Sequence, residues 1–205
     1  MWQILVKGGW IMLPLALCSL VAVTIIIERI FFFRAIGGKN RAEEVIGLVR
    51  QGLLAKALSL TELTQETKLP TLPVMRVLAT GIKHPHESGN MEATAIAEVS
   101  AMKRGLAALD TIITLSPLLG LLGTIIGMIK SFNVMSSVGL GQPHAVTGGV
   151  AEALIATATG IAIAVITLIP YNYFLSRIER ETDAIESFAT RLEVVLNRPV
   201  KEQGL

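Results

Sequence analysis

The stretch GGVAEALIATATGIAIAVITLIPYNYFLSR, Gly148 to Arg177, decides the class of fold. After Glu152 no charged residue appears until Arg177, so Ala153 to Ser176 is a run of 24 uncharged residues. A helix needs about 20 apolar residues to cross a bilayer core, and this run is long enough. A lone carboxylate stands at its head. An acidic residue at mid-helix costs about 2.5–3.5 kcal/mol on insertion scales, and such residues face a bundle interior or a water-filled cavity. Two other readings stay open for Glu152: a place at the membrane interface, or a pair with a neighbour. No charge occurs from Ser131 to Ala151, so the adjacent sequence offers no obvious cation.

Two further windows have the same character. Gly8 to Ile27 carries no charge over 20 residues, and Thr111 to Ile129 none over 19. The 205-residue chain is 52% hydrophobic and 17% charged, with a mean hydropathy of +0.61. The first window is preceded only by Lys7 and followed by ERIFFFR rather than by a small-residue cleavage site, so it reads as an uncleaved anchor. Trp2, Trp10 and Phe31–Phe33 mark its interfaces. Glu28 and Arg29 at its inner end read as interfacial snorkelling and local pairing. Of the 18 Lys and Arg residues, ten lie between Arg34 and Asp110, five from Arg177 on and one at Arg29, against Lys7 and Lys130 alone at the opposite ends of the spans. The positive-inside rule then places the N-terminus outside.

The expected fold is an all-α membrane protein with three transmembrane helices, the second and third extended as long cytoplasmic helices. The expected segments are a transmembrane helix over 9–33, a cytoplasmic helical region over 34–110, a second span over 111–135, an outer loop over 136–146, a third span over 147–175, and a cytoplasmic C-terminal helix over 176–205. Within the inner region a helix is expected from Asn40, with Glu43 completing a capping box and the pattern running on through LLAKALSL. Pro70 and Pro73 break the chain, a short helix follows from Val74 to Ile82, and KHPHESGN is a loop. From Met91 the pattern feeds straight into span two, giving one helix of about 45 residues, roughly 68 Å long. Ile178, Ile185 and Leu192 recur every seven residues, with Phe188 and Val195 at complementary positions. This short seam fits either a neighbouring helix or the subunit's own core.

Span two reads SPLLGLLGTIIGMIKSF. Gly120, Gly123 and Gly127 form a small-residue face that lets helix backbones approach closely. Pro117, Thr124 and Ser131 share another face. Thr124 can line something polar or bond a carbonyl of its own helix. On span three, Glu152 and Thr159 share a face, while Thr157 is turned about 140° from Glu152 at 100° per residue. If the outer ends lie near Lys130 and Thr147, Thr124 and Glu152 sit at similar depth and suggest one polar site.

SPLLGLLGTIIGMIKSF, then GGVAEALIATATG, then YNYF resembles the MotA/TolQ/ExbB proton-channel family, most of all its TolQ/ExbB branch. The specific similarity covers about Leu115 to Phe174. The resemblance implies an inner-membrane motor subunit: a homopentamer around a pore that holds the single-span helices of an ExbD- or TolR-like partner bearing a membrane Asp. It implies protons as the coupling ion, no cofactor, and work passed to a TonB- or TolA-like protein. By motif position it assigns Thr124, Glu152 and Thr157 to the proton path. One departure is Ile166, where the family commonly has Pro; here a Pro comes one turn later, at Pro170.

Other classes find little support. The net charge of +2 does not suggest nucleic acid, and Cys18 alone can build neither a disulfide nor a metal cluster. His84, His86 and His144 fall in loops, away from the Ser–His or Asp–Asp pair that an intramembrane hydrolase needs. His84-x-His86 lacks a third metal ligand nearby, and no P-loop or dinucleotide motif is present, so an enzyme is not expected. A non-conducting membrane scaffold remains the alternative to the motor.

Overall fold

The computed structural model describes residues 9–36, 39–66, 72–85, 87–138 and 143–197. Seven helices run in order: α1 Met12–Ala35, α2 Lys39–Arg50, α3 Leu54–Glu66, α4 Pro73–Lys83, α5 Ser88–Lys103, α6 Leu106–Val138 and α7 Pro143–Leu196. No strand occurs among the described residues. Three helical stretches are long and apolar enough to cross a membrane, within Met12–Ala35, Gly89–Ser136 and Thr147–Leu196. Trp2, Lys7, Pro70, His86, the side chain of His144, the middle of the expected outer loop at 139–142 and the tail from 198 lie outside the described residues. Helix reaches into both ends of that expected loop, to Val138 and from Pro143.

The fold has two compact units. One joins the chain up to Glu28 to Gly105–Tyr173; the other joins Arg29–Arg104 to the chain from Phe174.

The first unit is built on an antiparallel pair of helices. On α6 the buried residues are Leu106, Leu109, Ile112, Ser116, Gly120, Gly123, Gly127 and Ser131, spaced three and four apart along one stripe. On α7 they are Ala153, Ala156, Gly160, Ala164 and Thr167. Small residues face small residues, so the backbones touch. A Cβ placed on Gly120 would stand 3.0 Å from both Ala156 O and Thr157 Cα, and one on Gly127 would stand 2.8 Å from Gly149 O. Gly160 lies directly against Ser116 O. The glycine face is therefore spent inside the chain's own helix pair. The opposite faces carry bare apolar side chains such as Leu118, Ile125, Leu154, Ile166 and Ile169. That much continuous exposed hydrocarbon fits a lipid or protein neighbour rather than water. Pro117 and Pro170 both lie inside helices.

The second unit has a core of buried apolar side chains. α4 is buried almost all round, through Val74, Met75, Val77, Leu78, Ala79, Gly81 and Ile82, and packs against α2, α3 and α5. Pro73 opens it at a first-turn position, where its missing N–H costs nothing. Gly81 admits Met91 of α5 and Leu192 of α7, whose Cδ2 would lie 2.8 Å from an added Cβ. Ile178, Ile185, Phe188 and Leu192 are all buried in this core. The seven-residue seam thus serves its own subunit. Fully burying such a side chain contributes about 1.5–3 kcal/mol. Phe33 stacks on Phe174 with ring centroids 5.5 Å apart.

Four expectations change here. The long helix from Met91 is two helices, because Arg104 turns extended at ψ 133° and Gly105 takes φ +81°, a conformation that side chains other than glycine's resist. The helix through LLAKALSL also breaks. Gly52, at φ +75°, ends α2 in a Schellman turn, its N–H donating to Val49 O (2.9 Å) and that of Leu53 to Leu48 O (3.0 Å). Asn40 falls inside α2, and Glu43 pairs with Arg191 at 2.6 Å instead of closing a capping box. Arg29 does not snorkel. It is 3% exposed, donates from Nη1 to Ala101 O and Met102 O at 3.4 Å each, and lies over the Phe32 ring at 4.7 Å. A cation there complements the carbonyl-rich C-terminus of α5.

Candidate functional site

Glu152 lies on α7 one residue before the small-residue stripe, so it is held at the edge of the α6–α7 seam and not within it. Its Oε2 accepts from Lys130 Nζ of α6 at 3.0 Å. The carboxylate side chain is 20% exposed and the lysine 63%. A cation thus faces the lone carboxylate, and the pairing left open for Glu152 is the one the fold makes. The register explains it. Lys130 and Glu152 lie nearly the same distance on either side of residues 139–142, so an antiparallel pair sets them across from each other. Counting along both helices from Val138 and Pro143 would have found this contact.

A third element reaches the same place. Gly9 precedes α1 at φ +70°, and a Cβ on it would overlap Glu152 Oε1. Gly9 O accepts from Met12 N at 3.1 Å as the helix begins. Glycine suits this backbone conformation, and its bare Cα leaves the carboxylate room beside it.

Thr157 points across the seam. Its Oγ1 donates to Gly120 O at 2.9 Å, a bond possible only because Gly120 brings the α6 backbone within reach. Thr124 donates to Leu121 O of its own helix at 2.6 Å, as does Thr159 to Ile155 O at 2.8 Å. The contacts of Gly127 with Ala153 and of Gly123 with Ala156 put Thr124 about level with Ala156, a turn along α7 from Glu152. Of the three proposed path residues, the fold joins Glu152 to Lys130 and Thr157 to Gly120, while Thr124 stands alongside with its hydroxyl engaged locally. No group of three or more His, Cys, Asp or Glu suited to a metal occurs among the described residues. His84 Nδ1 lies 3.9 Å from Glu87.

Such a site holds a charge-compensated carboxylate on an apolar helix, about a turn from the level of Thr124. Two ExbB-like biopolymer transport proteins of Synechocystis sp. are similar over most of this chain. One is 37% identical over 200 residues, 93% of this chain and 92% of its own length; the other is 33% identical over 197 residues, 92% and 76%. The Tol-Pal system protein TolQ of Pseudomonas aeruginosa is 36% identical over 103 residues, half of this chain and 45% of its own. The model of the MotA/TolQ/ExbB proton channel family matches residues 73–187, which include the Glu152–Lys130 pair and the whole glycine seam. This chain belongs to the MotA/TolQ/ExbB proton channel family.

Proposed function

We propose that this chain is the channel subunit of an inner-membrane motor that couples the proton-motive force to work on the cell envelope. The observation that carries the proposal is Glu152, the one carboxylate between Asp110 and Glu179, placed on an apolar helix about a turn from the level of Thr124. A proton crossing 150 mV releases about 3.5 kcal/mol, so useful work needs an ionisable group in the path and a partner that moves. The partner is a single-span, ExbD- or TolR-like protein whose helix carries an Asp, enclosed by five copies of this chain. The work passes to a TonB- or TolA-like protein, in nutrient import or in envelope maintenance; relatives named as a biopolymer transport protein ExbB and a Tol-Pal system protein TolQ support this reading. The excess of Lys and Arg in 34–110 and after Arg177 supports an N-terminus outside and the second unit in the cytoplasm. Protons are the coupling ion, with Thr124, Glu152 and Thr157 on their path, and no cofactor is required.

The test is Glu152→Gln co-expressed with the partner. Glutamine keeps size and hydrogen-bonding capacity and loses only ionisation. Assembly is expected at normal yield with a severe loss of motor-dependent growth; full growth at normal yield would remove Glu152 from the path. The second reading, a scaffold that conducts nothing, draws on the same ion pair, since Lys130 and Glu152 also tie α6 to α7. It expects loss of assembly in Glu152→Gln.

A further inference from the structure

We infer that Lys130 is a positioning residue for Glu152: its ammonium ties the carboxylate in place at the edge of the α6–α7 seam. The inference rests on the reading of Glu152 as part of the proton path.

Both carboxylate oxygens have neighbours. Oε2 takes the ammonium at 3.0 Å, and Oε1 rests against Gly9. The charges facing the group are few. α6 contributes Lys130; the start of α1, Gly9 to Leu13, contributes none; α7 contributes none from Ala153 to Ser176. Lys130 is therefore the charged side chain set against this carboxylate among the described residues.

Lys130 reaches the carboxylate from an open groove of about 520 Å³ that it lines with Ile126, Ile129, Asn133 and Val134. Its side chain is 63% exposed against 20% for Glu152, and the apolar walls suit its four-carbon stem.

The experiment uses the full chain purified in detergent. Infrared difference spectra between neutral and mildly acid buffer are recorded for wild type, Lys130→Met and Lys130→Arg, with Glu152→Gln identifying the Glu152 band. Lys130→Met should shift or broaden the Glu152 carboxylate band, a change that the Lys130→Met/Glu152→Gln double variant lacks, and Lys130→Arg should match wild type. A Lys130→Met spectrum identical to wild type overturns the inference. Proton-driven work should fall about tenfold or more in Lys130→Met and return in Lys130→Arg. The exchange variant Lys130→Glu/Glu152→Lys keeps an ion pair at the same place, and covers the case in which Lys130→Met fails to fold. A positioning role predicts that it assembles and does no work; restored work would mean that only the tie matters and would overturn the inference. Failure of the underlying reading looks different: Glu152→Gln alone works fully, while the spectra still decide what Lys130 does.

Discussion

One added methyl group at Gly127 should loosen the α6–α7 seam. A Cβ there would stand 2.8 Å from Gly149 O, 2.9 Å from Ala153 Cβ and 3.2 Å from Ala153 Cα. Two of those atoms are backbone and the third is the first carbon of a side chain, so none can swing aside. Restoring ordinary contact requires the helices to part by about 0.5 Å, and a gap of that size forfeits about a quarter or more of each dispersion contact lining it. Overpacking of this kind costs about 1–3 kcal/mol. Alanine returns about 1 kcal/mol in helix propensity, which blunts the net effect. Gly148→Ala is the matched control: it too lies in α7, and an added Cβ there meets nothing within 4 Å. The difference between the two variants isolates the overpacking cost, so Gly127→Ala should be less stable than Gly148→Ala by about 1–3 kcal/mol. Detergent-titrated unfolding of the full chain measures it. Stabilities equal to within about 0.5 kcal/mol would refute the close approach of the two backbones.

Replacing Arg29 with Met removes a buried charged donor from the C-terminal carbonyls of α5, a loss of about 1–3 kcal/mol. The segment at Lys103–Arg104 should then open more often and be cut faster by trypsin; an unchanged digestion rate would contradict that role for Arg29. Single cysteines introduced in place of Gln142 and Gln65 should react with an impermeant thiol reagent from the outer and the inner side of the membrane respectively. The reverse pattern would overturn the orientation.

The membrane character of the fold was plain in the sequence because a bilayer leaves little choice: an uncharged run such as Ala153–Ser176 has few other homes. The small-residue face of α6 was legible for a similar reason, since three glycines at helical spacing serve few purposes besides close packing. The breaks at Gly52 and Gly105 were not legible. A glycine inside a helical pattern costs only about 1 kcal/mol relative to alanine, so the pattern alone does not say whether the helix continues. The seam of Ile178, Ile185 and Leu192 was ambiguous because a few turns fit a 3.5- and a 3.6-residue period equally well; the choice is made by α4, whose Gly81 opens a place for Leu192. At the site, residue types were visible and pairings were not. Glu152 stood out by its charge. Its bond to Lys130 is a tertiary contact between residues 22 apart, and the place of Gly9 depends on where α1 begins. Arg29 was misjudged because a basic residue at the end of a span ordinarily reaches for the interface, and nothing local announces that the end of α5 will need it.

Proton uptake into sealed vesicles tests the role of Glu152 most directly. The chain co-purified with its single-span partner is reconstituted, a membrane potential is imposed, and internal pH is followed with a trapped dye. Wild type should acidify the lumen faster than protein-free vesicles, and Glu152→Gln, reconstituted at equal amount and equal assembly, should fall to the protein-free rate. Equal uptake by wild type and Glu152→Gln would contradict a proton path through this residue, and wild-type uptake no faster than that of protein-free vesicles would contradict conduction itself.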